Sequence, residues 1–184
     1  MTMAAHKVVC IGVGNPFRRD DAVGRAVVEQ LRGQIPRWVT LLLEIGDAAE
    51  LLNAWNGADY AILVDAMQSG APGTIHRLDA KKEKVARFSH SSTHAFGIVE
   101  AIELARALGE LPAELIIYGI EALEFSAGTG LSPEVAEAVP RAANLILQGI
   151  QHYCRAASFT THSDDGSYNQ SLNVGSVLSH ARNL

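Results

Sequence analysis

Apolar residues recur along this chain in two rhythms. Short unbroken runs alternate with longer stretches where they return every third or fourth position. The short runs lack the length of an amphipathic helix and carry many β-branched side chains, so they predict strands over residues 8–11, 38–45, 60–64 and 115–120. Residues 74–78 alternate and predict a fifth strand. Helical spacing places helices over residues 23–31 (Val23, Val27, Leu31), 48–55 (Leu51, Leu52, Trp55) and about 94–108 (Phe96, Val99, Ile102, Leu108). A last helix follows Ser132-Pro133, an N-cap residue with proline at the first helical position, and continues to about Tyr153.

Strands alternating with helices predict an α/β fold: a three-layer sandwich with a mainly parallel, twisted, five-stranded sheet and helices on both faces. The strand at 74–78 is expected to be antiparallel, because the connection before it is too short for a helical crossover. The run at 60–64 is almost wholly apolar, as for a strand covered on both sides. Residues 1–156 read as a single domain without internal repeats. From residue 157 the composition shifts to Ser, Thr, Asn, Asp, Gly and His, so 157–184 is expected to be a solvated, mobile tail. Its His162, Asp164 and Asp165 have no packed scaffold to orient them as metal ligands.

Composition narrows the classes of partner. The 184 residues carry a net charge of −5, and the compact basic run Lys81, Lys82 and Lys84 is short, which argues against nucleic acid and anionic membranes. No apolar segment approaches the ~20 residues needed to span a bilayer, and no signal-peptide core opens the chain, so the cytoplasm is the expected compartment. The two cysteines, Cys10 in a strand and Cys154 near the end of the last helix, read as packed thiols rather than a disulfide or a metal site.

The stretch from Val8 to Leu31 is the most informative. Its strand ends at Gly12, Gly14, Asn15 and Pro16, and two carboxylates, Asp20 and Asp21, arrive before the helix. A dinucleotide fingerprint would need a third glycine where Phe17 stands, and adjacent carboxylates would repel a pyrophosphate. Acidic residues suit a helix start, with Asp20 expected as the cap and Asp21 as the freer group. Ligands of parallel sheets bind beyond the carboxyl ends of the strands, where Asp21 and Asp65 both fall. His94, in the first turn of its helix, reaches the same edge if that helix packs with its N-terminus there. His90 competes with it from the preceding loop. Two carboxylates and an imidazole form a credible divalent-metal set, although singly Asp65 can satisfy loop amides and His94 can cap or pack. No Ser-His or Cys-His arrangement and no H-E-x-x-H is visible, so any hydrolysis is expected to be metal-assisted.

Four elements together resemble the nickel-iron hydrogenase maturation endopeptidases. They are G-x-G-N with an acidic pair and A-x-G (Gly12 to Gly24), V-D-A (Val64 to Ala66), T-H-x-x-G (Thr93 to Gly97) and G-x-G-L-S-P (Gly128 to Pro133). The resemblance covers residues 7–153. It implies a cytoplasmic endopeptidase that removes the C-terminal extension of a hydrogenase large-subunit precursor once nickel is inserted. It also implies that Asp21, Asp65 and His94 serve as catalytic and metal-binding residues and that nickel arrives in the substrate. Asp21 stands where the family often carries glutamate. The loop Glu44-Ile45-Gly46-Asp47 departs from the family's usual aspartate with paired glycines. A non-hydrolytic metal-checkpoint chaperone for the same precursor is the alternative that the residues leave open.

Overall fold

The computed structural model describes residues 6–44, 46–83, 85 and 95–160, with side chains at 95–96 and 157–160 left out. Strands β1 (Val8–Val13), β2 (Val39–Glu44), β3 (Tyr60–Met67), β4 (Ile75–Asp79) and β5 (Glu114–Glu121) form one sheet in the order β2-β1-β3-β5-β4. Strands β2, β1, β3 and β5 are mutually parallel, and β4 runs antiparallel to β5, as expected.

Helices α1 (Val23–Leu31) and α4 (Pro133–Thr160) pack together on one face, and α2 (Ala48–Trp55) and α3 (Ala95–Leu108) on the other. The alternation of the strands explains the two cores. Val8, Cys10, Ile62 and Val64 join Val23, Val27 and Ile146 in one, while Val9, Ile11, Ala61 and Leu63 join Leu51, Trp55, Ile98 and Ile102 in the other. Every residue of β1 and β3 is buried, which is the signature of a central parallel strand sandwiched between helical layers.

The Asp47 side chain caps α2, accepting from the N–H groups of Ala49 at 2.9 Å and Glu50 at 3.3 Å. The last helix runs to Thr160, past the end expected near Tyr153, where Tyr153 stacks on Tyr60 with ring centroids 4.7 Å apart. The polar stretch beyond 160, with His162, Asp164 and Asp165, lies outside the described residues. Among those described, no helix is long and apolar enough to cross a membrane.

Candidate active site

The order β2-β1-β3 means that the chain leaves β1 toward one side and later returns on the other. Sheets of this kind bind their ligands at such a reversal, beyond the carboxyl ends of the strands, here those of β1 and β3. The segment after β1 lies at that end of the sheet. Residues Arg19–Ala22 form one turn of 3-10 helix that packs against β3 and leads into α1. Glycines let the backbone come this close. Gly14 sits at φ +138°, and a Cβ there would stand 1.8 Å from the Asp21 carbonyl oxygen.

Asp21 is fully buried in this turn, and its Oδ2 accepts from the Asn15 N–H at 3.1 Å. Asp65, likewise fully buried, stands on β3, two residues before its end. The structure thus brings both carboxylates to the same edge of the sheet, as their positions in the sequence predict. His94 and its competitor His90 lie outside the described residues, as do the serines and Thr93 expected to cap α3. Among the described residues no three His, Cys, Asp or Glu side chains form a group able to hold a metal ion.

Asp20 corrects an expectation. It does not cap α1, which has no side-chain cap. Its carboxylate instead reaches the loop between β5 and α4. Oδ2 accepts from the N–H groups of Leu123 (2.9 Å) and Glu124 (3.0 Å) and from the Ser132 hydroxyl (2.8 Å), while Oδ1 accepts from the Ser132 N–H (2.6 Å). The bridge between Arg18 and Gly128 closes the same seam. Burial pushes the Asp20 carboxyl up, but the hydrogen bonds from Ser132, Leu123 and Glu124 outweigh it and hold it below the usual carboxylate range. One carboxylate of the acidic pair therefore fixes a loop, and its neighbour stays buried in the turn above β1.

Sequence reasoning missed Glu121, the last residue of β5, which is also fully buried. Its Oε2 accepts from the N–H groups of Ser69 (2.6 Å) and Gly70 (2.9 Å). Its Oε1 accepts from the Ser69 hydroxyl (2.6 Å) and meets His76 Nε2 at 2.9 Å. Burial raises this carboxyl too, but Ser69, Gly70 and His76 together keep it below its ordinary value. Only its place at a strand end, beside a glycine-containing loop, marks it in the sequence. Glu44, at the end of β2, is pushed up by burial and by the nearby Glu50, against the opposing pull of Arg25. Cys10 is fully buried and its thiol is pushed up to about 12 by burial, consistent with a packed, inert side chain.

Asp20→Asn is expected to cost about 2 kcal/mol at neutral pH, because the amide turns one N–H group toward donors that need an acceptor. Asp20 and Glu121 have folded pKa values below their unfolded ones. Their contribution is complete above the ordinary carboxylate range and disappears as pH falls through the lowered values. The loss from Asp20→Asn should therefore shrink in acid, as urea titrations at several pH values would show. An equal loss at all pH values would contradict this account.

A family model described as hydrogenase maturation protease matches residues 25–149, a range that begins just after Asp21 and includes Asp65 and His94. The chain belongs to the hydrogenase maturation protease family. Hydrogenase 2 maturation protease of Escherichia coli K12 is 28% identical over 149 residues, covering 79% of this chain and 91% of that protein. Protein FrxA of Pyrococcus furiosus is 33% identical over 136 residues, covering 72% and 96%. The solved structure of the hydrogenase maturating endopeptidase HybD from E. coli matches with a TM-score of 0.71 at 29% identity, over 80% of this chain and 93% of the other. Membership of this family makes the chain an endopeptidase of the hydrolase class, and the five-stranded sheet with one antiparallel strand is the fold its relatives share.

Proposed function

We propose that this hydrogenase maturation protease removes the C-terminal extension of a nickel-iron hydrogenase large-subunit precursor, and that nickel already seated in the precursor is what it recognises. The observation that carries this reading is the pair of buried carboxylates, Asp21 and Asp65, at adjacent strand ends on one rim of the sheet. Carboxylates taken out of water favour a cationic partner, and oxygen ligands with an imidazole suit a divalent transition metal. In this reading His94 supplies the imidazole, and nickel is part of the substrate.

Asp21, Asp65 and His94 then hold the precursor by its metal and bring the scissile peptide to the rim. One of the two carboxylates takes the proton from the attacking water. A precursor without nickel offers these three side chains nothing to grip, so cleavage follows metal insertion. The test is to incubate the purified protein with nickel-loaded and with metal-free precursor and to weigh the products as intact proteins. Loss of the extension from the nickel-loaded form alone is expected. Equal cleavage of both forms would overturn nickel recognition, and binding without cleavage would replace the peptidase by a chaperone.

A further inference from the structure

Among the described residues four charged side chains are fully buried: Asp20, Asp21, Asp65 and Glu121. Each stands at or just beyond the carboxyl end of β1, β3 or β5. Asp21 and Asp65 belong to the proposed metal-reading set, and Asp20 fixes the loop between β5 and α4. Glu121 has no place among them: its carboxylate binds Ser69 and Gly70, which offsets the cost of burying it, and it also meets His76 on the neighbouring strand.

The register of the sheet shows what Glu121 holds. Asp65 pairs with Gly119 on β5, and Gly119 pairs with His76 on β4, so Asp65, Gly119 and His76 form one row across three strands. The preceding row on that face is Leu63, Ile117 and Leu78, all within the core beneath α2 and α3. Asp65 and His76 therefore lie on the same face, two strand spacings or about 10 Å apart at their Cα atoms, with no side chain on the residue between them. The His76 side chain is 46% exposed, while the Glu121 side chain that it meets is 0% exposed. Because Glu121 is ionised and can only accept, the hydrogen of this contact sits on Nε2, which leaves Nδ1 as an acceptor.

We infer that Glu121 and His76 are a further part of the peptidase site. Glu121 is a positioning residue that holds the His76 imidazole on the β4 side of the rim, where it contacts the polypeptide of the incoming precursor. This rests on the reading of the Asp65 rim as the place where the precursor docks. A carboxylate that fixes the tautomer and direction of an imidazole gives that ring a defined polar atom to present.

Glu121→Gln changes only the contacts of Oε1, those with His76 and with the Ser69 hydroxyl, whose oxygen can turn to accept from the new NH2. With its oxygen at the Oε2 position, glutamine still accepts from the Ser69 and Gly70 N–H groups. Its NH2 then faces His76 Nε2, which can accept only if the ring proton moves to Nδ1. Nitrogen-15 NMR is expected to show the His76 proton on Nε2 in the parent protein and on Nδ1 in the variant. His76→Ala and Glu121→Gln are each expected to bind the nickel-loaded precursor about tenfold more weakly, while His76→Ala stays folded and melts only slightly sooner, because Ser69 and Gly70 keep their bonds to Glu121. The double variant should bind no worse than His76→Ala alone, since Glu121 acts through the ring.

Parent-like precursor affinity in both single variants would overturn the inference, as would fully additive losses or a parent tautomer with the proton on Nδ1. If the parent protein binds the precursor without cutting it, the peptidase reading fails while the affinity comparison still decides the role of His76. If the parent does not bind the precursor at all, both fail.

Discussion

Alanine at Gly24 is expected to force α1 off the sheet and to cost on the order of 4 kcal/mol. A Cβ at this position would stand 2.2 Å from the carbonyl oxygen of Val64 and 2.4 Å from that of Val13. Both are backbone atoms of central strands, so no side chain can rotate away to make room. The helix must translate instead, which pulls Val23 and Val27 from the core they fill with Ile62 and Val64. It also drags the turn that carries Asp21 away from β3, so processing should fall together with stability. Urea unfolding measures the first effect and intact-mass analysis of the precursor the second. As a control, a Cβ at Gly33 meets nothing within 4 Å and Gly33 carries φ +81°, so Gly33→Ala should cost only about 1 kcal/mol. A loss at Gly24 no larger than at Gly33 would mean that close contact with the strands is not what requires a glycine there.

Much of this architecture follows from local pattern, and the buried carboxylate contacts that escaped it are long-range. The unbroken apolar runs identified β1 and β3 because strands covered on both faces have no polar side, and the short connection before β4 disclosed its antiparallel direction. Asp21 and Asp65 could be placed on one rim because parallel strands share their carboxyl ends. The partners of Asp20 lie between 103 and 112 positions away, and periodicity does not report contacts at that distance, so the residue passed for an ordinary helix cap. Glu121 escaped for the same reason, since its donors are 45 to 52 positions back along the chain. Its strand also looked as though it ended one residue sooner, leaving the carboxylate in a loop. Asp47, in the loop that departs from the family's usual pattern, caps α2 through its side chain. The extra turns of α4 follow from good helix formers such as Arg155, Ala156 and Ala157 within a stretch whose first polar residues suggested an earlier end.

Removing one member of the proposed ligand set, by Asp21→Asn, Asp65→Asn or His94→Ala, is expected to lower processing of nickel-loaded precursor by at least ~10²-fold. The carboxylate variants make the most discriminating comparison. Asparagine preserves the volume of a fully buried aspartate and removes its charge, and an amide oxygen at Asp21 can still accept from the Asn15 N–H. Neutralising a buried charge lifts a desolvation cost, so stability should be unchanged or slightly raised if the charges serve a metal rather than the fold. Activity and stability would then move independently, the opposite of the joint loss expected at Gly24. The same variants should lose their preference for nickel-loaded over metal-free precursor in a binding measurement, because the grip on the metal is what has been removed. Near-parent processing by Asp65→Asn would show that this carboxylate does not read the metal. A large drop in its unfolding free energy would assign it to the scaffold instead.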